Sequence, residues 1–247
     1  MREPLDQDAL EAHRAGVAVG LWTVLLLLVC PSVSGAAGGP TVEGTVTILD
    51  REGKPKSHHE GVVVFLDELA HPTDVPVPTA HATVRQRNKR FEPEVLPVVA
   101  GTTVDFPNED TIYHNVFSLS KAKPFDLGLY EQGGSRSVTF DRPGLVKVYC
   151  NIHPNMVAYI LVLANPDFTL TDSRGHFVIP DAPLGAATVR SWYPHSREQA
   201  ERKIVVAAQG IQDLNFSLVE GLRLEIREES VSIQHKNKLG QDYPDKY

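Results

Sequence analysis

The residues best suited to chemistry lie in one short segment, VYCNIHPNMVAYILV, where a cysteine, a histidine and a methionine follow at intervals of three. These are Cys150, His153 and Met156, and the upstream segment FPNEDTIYHNVFS supplies His114. A thiolate, two imidazoles and a weak axial thioether make up the donor set of a blue-copper site. The sulfur ligands stabilise Cu(I), and imidazole suits both oxidation states. The spacing therefore predicts a site for one copper ion that exchanges single electrons.

The cysteine count supports a metal role. The chain has two cysteines, Cys30 and Cys150. Cys30 ends an apolar run, AGVAVGLWTVLLLLVC, which small residues follow, so residues 1–37 are predicted to be a signal peptide or an N-terminal anchor. We therefore expect a periplasmic or other extracytoplasmic location. Without its signal the chain has one thiol in a compartment where thiols are normally paired, and metal ligation explains why it stays unpaired.

Strands rather than helices must position these residues. Seven short β-branched runs lie within residues 80–163, separated by glycine and proline and without a helical period. Such a pattern favours an antiparallel β-sandwich. Cys150 follows the run LVKVY, and a short turn returns His153 and Met156 before the run MVAYILVL begins. His114 comes from another strand end, so we expect two loops at one end of a sandwich to hold the site.

The region from His81 to Leu163 resembles a cupredoxin of the plastocyanin and amicyanin kind, on the segments NKRFEPEVLPVVAGTTVDFPNED, HNVF and YCNIHPNM. The spacing of the ligand loop is that of amicyanin and shorter than that of plastocyanin. The resemblance implies a Greek-key β-sandwich over residues 80–163 whose copper ligands are His114, Cys150, His153 and Met156. It also implies that the backbone amide of Asn115 hydrogen-bonds to the cysteine sulfur. The outward ring edge of His153 would be the electron port.

A second β-sandwich is expected around the first. The segment DSRGHFVIPDAPLG resembles the carboxypeptidase-regulatory or transthyretin-like family, in which a D-x-x-G-x-F hairpin precedes a P-x-G turn. The opening strands of that family resemble GTVTILDREGKP and GVVVFLD, which lie before the cupredoxin region. We therefore expect residues 41–69 and 165–219 to form one split sandwich, with the cupredoxin domain inserted in it or packed beside it. Residues 220–247 are predicted to be a polar tail.

The residues beside the cysteine argue against an enzyme. Copper nitrite reductases and multicopper oxidases place a histidine next to the blue-copper cysteine, but here the neighbours are Tyr149 and Asn151. A binuclear copper centre needs two cysteines in one loop, and a zinc site would not recruit methionine. With 24 basic and 31 acidic residues the net charge is -7, so we expect no nucleic-acid binding.

Three functions stay open from the sequence. The first is an electron carrier that serves a redox protein, such as a dehydrogenase or a respiratory component, with membrane or envelope association through the N-terminal segment. The second is a periplasmic copper-binding or transport protein without redox turnover. The third is an envelope interaction module whose copper is structural. The basic run RQRNKR, Arg85 to Arg90, is interpreted as a solvated edge strand, with docking of an acidic redox partner as the alternative.

Overall fold

The computed structural model describes residues 38–71, 75–76 and 78–221, which form strands and loops without a helix. The prediction of an all-β fold is confirmed. Accordingly, no helix in the described part of the chain is long and apolar enough to cross a membrane. The predicted signal or anchor at residues 1–37 and nearly all of the predicted tail lie outside the described residues.

Seventeen strands occur in the described residues. In chain order they are β1 (Val42–Leu49), β2 (Val63–Asp67), β3 (Ala82–Thr83), β4 (Arg85–Arg87), β5 (Arg90–Glu92), β6 (Val95–Val99), β7 (Thr102–Pro107), β8 (His114–Ser118), β9 (Phe125–Tyr130), β10 (Ser135–Phe140), β11 (Gly144–Tyr149), β12 (Val157–Leu163), β13 (Phe168–Leu170), β14 (His176–Ile179), β15 (Gly185–Trp192), β16 (Ala200–Val206) and β17 (Ile211–Val219).

Strands from the two ends of the described chain pair with each other. One sheet has the order β14-β1-β17, with β1 parallel to β17 and antiparallel to β14. The other has the order β13-β2-β15-β16. Side chains from both sheets, among them Val46, Leu66, Phe177, Val189 and Leu218, fill one buried core. We call this body the outer sandwich; it draws only on strands before residue 68 and after residue 167.

The strands between residues 82 and 163 form the inner sandwich. Its two larger sheets have the orders β10-β7-β3 and β6-β12-β11-β8-β9, and β4 and β5 form a separate hairpin. Alternate side chains of both sheets point into a core that includes Phe106, Phe140 and Ile160. Cys150 and Met156 belong to the same core, so the predicted metal ligands lie at one end of a packed scaffold.

The basic run is not a single strand as expected but a hairpin. Arg85 pairs with Glu92 and Arg87 with Arg90 across it. Asn88 and Lys89 form the turn, with φ angles of 54° and 55°. A two-residue turn with both φ angles positive matches the right-handed twist of the strands, and asparagine tolerates that conformation well.

The two sandwiches are joined by an apolar contact, the inter-sandwich cluster, formed by Val63, Phe65, Leu161 and Leu163. Val63 and Phe65 alternate along β2 with residues that face the outer core, and Leu161 and Leu163 alternate along β12 with residues that face the inner core. Both strands are therefore covered on both faces. This explains why VVVFL and YILVL are continuous apolar runs rather than alternating ones.

Asp167 lies where the chain returns from β12 to the outer sandwich. Its carbonyl accepts a hydrogen bond from the Leu66 amide at 2.9 Å. One carboxylate oxygen is buried without a hydrogen-bond partner among the described residues, and burial raises the pKa of this carboxyl. Since the folded pKa is above the unfolded one, ionised Asp167 opposes folding at neutral pH, and this cost disappears below the unfolded pKa.

We expect Asp167→Asn to raise the thermal unfolding midpoint at pH 7, because the neutral amide avoids burial of a charge. At pH 3 the aspartic acid is itself neutral, so the two proteins should unfold at nearly the same temperature. Thermal unfolding followed by circular dichroism at both pH values measures the difference. Asp213→Asn, the same substitution at an exposed position, is the control. An equal gain at pH 3 and pH 7 would contradict the prediction.

Candidate metal centre

The predicted site residues lie at the ends of two neighbouring strands. His114 is the first residue of β8, and Cys150 directly follows β11. His153 and Met156 lie in the turn that joins β11 to β12. Because β8 and β11 are antiparallel neighbours, the start of one lies beside the end of the other. The fold thus brings the two loops together at one end of the inner sandwich.

Three of the predicted ligand atoms converge. The Cys150 Sγ atom lies 3.7 Å from His114 Nδ1 and 4.0 Å from His153 Nδ1. These three atoms all lie within 4.8 Å of one another, and among the described residues they form the one such group of three or more histidine, cysteine or carboxylate ligands.

These separations fit a metal ion. With metal–sulfur bonds of about 2.3 Å and metal–nitrogen bonds of about 2.05 Å, a trigonal angle of about 120° places sulfur and nitrogen about 3.8 Å apart. The two measured distances lie on either side of that value. The donor types, one thiolate and two imidazoles, are those of a blue-copper plane.

Burial distinguishes the four candidate ligands. His114 and Met156 are 0% exposed and Cys150 is 4% exposed, whereas His153 is half-buried. The ligand turn is closed by two backbone hydrogen bonds, from Cys150 N to Met156 O at 3.3 Å and from Met156 N to His153 O at 2.9 Å. Met156 therefore packs in the same core as the cysteine, and its role as an axial ligand stays a prediction.

The surroundings of Cys150 favour the thiolate. Burial by itself raises the pKa of the thiol. Hydrogen bonds from His114 and from the backbone amides of Asn115, His153 and Ile152 outweigh burial, so the net pKa lies below its ordinary value. Since the thiolate is the form that ligates a metal, the site is prepared for one before the metal arrives.

Asn115 connects the two loops through both its backbone and its side chain. Its backbone amide points at the cysteine sulfur, which is the contact expected from the sequence. Its side-chain oxygen accepts a hydrogen bond from the Asn151 amide at 3.0 Å, and its side-chain nitrogen donates one to Asp126 at 2.9 Å. Fully buried, Asn115 fixes the separation between β8 and the ligand turn.

Asp110 is part of the site although the sequence did not predict it. His114 Nε2 donates a hydrogen bond to Asp110 Oδ2 at 2.8 Å, so the other ring nitrogen, Nδ1, is the one that faces Cys150 Sγ and would release its proton when a metal ion binds. The same carboxylate accepts the backbone amides of Asn88 at 2.6 Å and Lys89 at 2.8 Å. A carboxylate that holds the second nitrogen of a ligating histidine fixes the ring orientation.

The pKa values of the two partners reflect this contact. Burial raises the pKa of Asp110, but hydrogen bonds from the Lys89 amide and from His114 prevail and lower it overall. Burial lowers the pKa of His114, while its hydrogen bonds to Cys150 and Asp110 prevail and raise it overall. Among the described residues no carboxylate bonds to His153 in this way. Burial together with the charges of His114 and Lys89 lowers the pKa of His153, against a smaller opposite effect of Asp110.

We expect Asp110→Asn to weaken copper binding by about 10- to 100-fold, the usual cost of removing a partner that orients a ligating histidine. The side-chain oxygen of the asparagine can still accept hydrogen bonds, but its NH₂ group would face one of the N–H donors that the carboxylate now accepts. Competition with a chelator of known copper affinity measures the change. Glu109→Gln is the matched control, since Glu109 contacts Arg85 and Arg87 and not His114. Equal affinity losses in the two variants would contradict the orienting role.

The sequence and the fold were compared with those of known proteins. No protein-family model and no curated protein matches the sequence. Solved structures of cupredoxins are similar to part of it. A methionine-to-alanine mutant of amicyanin in its Cu(I) form is 22% identical, with a TM-score of 0.32, covering 34% of this chain and 82% of that one. The purple cupredoxin from Nitrosopumilus maritimus is 26% identical, with a TM-score of 0.31, covering 33% and 99%.

A copper-containing nitrite reductase from Thermus scotoductus SA-01 is also similar to this chain. It is 30% identical with a TM-score of 0.33. The match covers 38% of this chain but only 25% of the reductase.

Proposed function

We propose that this protein binds one copper ion and carries single electrons between redox proteins. The observation that carries the proposal is the convergence of Cys150 Sγ with the Nδ1 atoms of His114 and His153, at 3.7 and 4.0 Å, in a buried pocket. These three residues would hold the ion, and Met156 would be its weak axial ligand. A bound copper ion would supply the one-electron couple.

The burial of the site supports a carrier rather than an enzyme. Both His114 and Met156 are inaccessible to solvent, and the cysteine is almost so. His153 is the most exposed of the four, which is what an electron port requires. A substrate would need an open position beside the ion, and these residues leave little surface for one.

Fixed hydrogen bonds around the site also suit electron transfer. Asn115 bonds to Asn151 in the ligand turn and to Asp126, and Asp110 holds the ring of His114, through contacts of 2.8 to 3.0 Å. A ligand set that is already in place moves little when the charge of the ion changes, so reorganisation is small. We further propose that the protein works outside the cytoplasm, because the apolar N-terminal run followed by small residues is typical of a signal peptide. Metal ligation would then explain why Cys150 is an unpaired thiol.

Copper loading tests the proposal. The purified protein should take up one equivalent of Cu(II) and develop an intense visible charge-transfer band. Its EPR spectrum should show the narrow hyperfine splitting of a thiolate-bound copper. Cyclic voltammetry should then give one reversible one-electron couple. A colourless copper adduct, or a copper ion that cannot be reduced and reoxidised, would overturn the carrier function.

The same preparation separates the copper-transport alternative from the carrier. A carrier should keep its copper through repeated redox cycles and exchange electrons rapidly between oxidised and reduced molecules. A transport protein should instead lose Cu(I) to an apoprotein acceptor without a chelator. The buried and pre-arranged ligands favour retention.

A further inference from the structure

The basic hairpin, residues Arg85 to Glu92, lies beside the metal centre. Its turn amides, from Asn88 and Lys89, bind the carboxylate of Asp110, which in turn binds the copper-ligand candidate His114. A cleft of about 390 Å³ separates the turn from the loop that precedes β8, and Lys89 and Ile112 line it. The ring centres of His114 and His153 lie 4.8 Å apart. The hairpin turn is thus next to the proposed electron port.

The hairpin is firmly held in this position. Gln86 is fully buried, and its side-chain nitrogen donates hydrogen bonds to Tyr130 Oη at 2.6 Å and to Phe106 O at 3.2 Å. The backbone carbonyl of Gln86 accepts a hydrogen bond from the Glu109 backbone amide at 2.9 Å. A hairpin whose backbone is already fixed relative to the port loses less conformational entropy when a partner binds.

Positive charge dominates the exposed side of the hairpin. Four of the six residues from Arg85 to Arg90 are basic and none is acidic. Glu109 offsets part of this charge, with contacts of 3.2 Å to Arg85 and 3.6 Å to Arg87, yet both arginine side chains stay more than half exposed. Within the described residues, no ion pair involves the side chain of Lys89 or Arg90.

The acidic groups near the hairpin do not cancel this charge. Asp110 is turned inward onto the turn amides and His114. Glu92 lies at the far end, opposite Arg85, and Glu94 contacts His195 of the outer sandwich at 3.0 Å. The cationic end of the hairpin therefore contrasts with a chain of net charge -7.

Apolar surface lies next to the positive charge. Ile112 and Tyr113, directly before His114, are each 36% exposed. A small apolar area with charges at its rim is the usual composition of a short-lived electron-transfer interface, in which the charges set the encounter rate and the orientation.

We propose that the basic hairpin is the docking surface for a redox partner with an acidic surface, and that it directs the partner onto His153. The proposal rests on the electron-carrier function and specifies the charge of the partner. Opposite charges at the port steer the encounter, and steering of this kind changes association rates by factors of 10 to 10³ at low salt.

Reduction of the Cu(II) protein by cytochrome b5, an acidic one-electron protein, tests the kinetic consequence. We expect a second-order rate constant that falls as ionic strength rises. The double variant Lys89→Glu and Arg90→Glu should be about tenfold slower or more at low salt. The matched control is the double variant Arg51→Glu and Lys54→Glu, which makes the same change of net charge in an exposed turn of the outer sandwich. Equal rates for the two variants would overturn the proposal.

Binding of cytochrome b5 to the copper-free protein tests docking independently of copper, so a failure of docking can be told apart from a failure of the proposed function. Isotope-labelled apoprotein titrated with cytochrome b5 should show amide shift changes at the hairpin and around His153, which high salt abolishes. Basic cytochrome c should cause no such changes. If copper does not bind as proposed, this titration still decides the role of the hairpin. Shift changes that are absent, or that lie on the outer sandwich, would overturn it.

Discussion

Cys150→Ser should abolish the visible charge-transfer band of the copper-loaded protein completely. That band requires a thiolate sulfur bonded to Cu(II), and a serine hydroxyl is neither ionised at neutral pH nor a soft ligand. The change is nearly isosteric, and Cys150 is a small buried part of the inner core, so we expect far-ultraviolet circular dichroism to stay the same. Absorption and EPR spectra after addition of one equivalent of Cu(II) make the measurement.

Met156→Leu is the matched comparison, because it keeps the volume of a buried side chain and removes only the thioether. The axial ligand is weak and mainly tunes the reduction potential, so this variant should keep an intense band and show a shifted potential. A Cys150→Ser protein that retains the band would show that another group binds the copper. An unchanged potential in Met156→Leu would remove the methionine from the ligand set.

Gly44→Ala should destabilise the outer sandwich by about 3 kcal/mol. Gly44 lies in β1, and a Cβ atom there would come 1.9 Å from the carbonyl oxygen of Leu214 in β17. That oxygen belongs to the backbone and cannot rotate away, so the two strands must separate. β1 pairs with β17 from Val42 to Leu49, with a register shift between Val42 and Gly44, and the variant therefore acts where the two ends of the described chain meet.

Chemical denaturation followed by Trp192 fluorescence reports this change, since Trp192 packs at the contact between the sandwiches. The unfolding midpoint should move to a lower denaturant concentration. Gly38→Ala is the matched control, because the nearest atom to its added methyl group, from Asp181, lies 4.0 Å away. Equal midpoints for both variants would show that the pairing of β1 with β17 does not stabilise the protein.

Much of the candidate metal centre could be predicted from local sequence. The intervals between Cys150, His153 and Met156 are set by one tight turn between two strands, and such a turn is a short-range feature. His114 is predicted as the second imidazole from the end of another strand-like run and from the resemblance of HNVF to a cupredoxin, although what brings it near Cys150 is the antiparallel pairing of β8 with β11. Side chains at strand ends are thus easier to assign than those in the loops between them.

Asp110 could not be found in this way. It lies in an irregular loop four residues before His114, and that spacing has meaning on a helix but not in a loop. The contact exists because two amides of a distant turn hold the carboxylate. The turn has one typical residue in the sequence, Asn88, because asparagine tolerates the positive φ angle that a two-residue hairpin turn requires.

The packing partners of the two continuous apolar runs could not be predicted from the sequence. Periodicity shows which face of a strand is buried, but VVVFL and YILVL have no polar face at all. Such runs indicate that both faces of the strand are buried, but they do not show which element covers the second face. Only the folded chain shows that β2 and β12 cover each other across the inter-sandwich cluster.

Because of the inter-sandwich cluster, neither sandwich is expected to be soluble without the other. Where the chain leaves and re-enters the outer sandwich, the Asn165 side chain bonds to Leu66 O at 3.0 Å, so the two junctions are neighbours and a short bridge could replace everything between them. Removal of the inner sandwich would nevertheless expose Val63 and Phe65 on the outer sandwich, and would expose Leu161 and Leu163 on the excised inner sandwich. Both fragments would tend to self-associate, so a nicked or truncated chain should precipitate before it releases a working half.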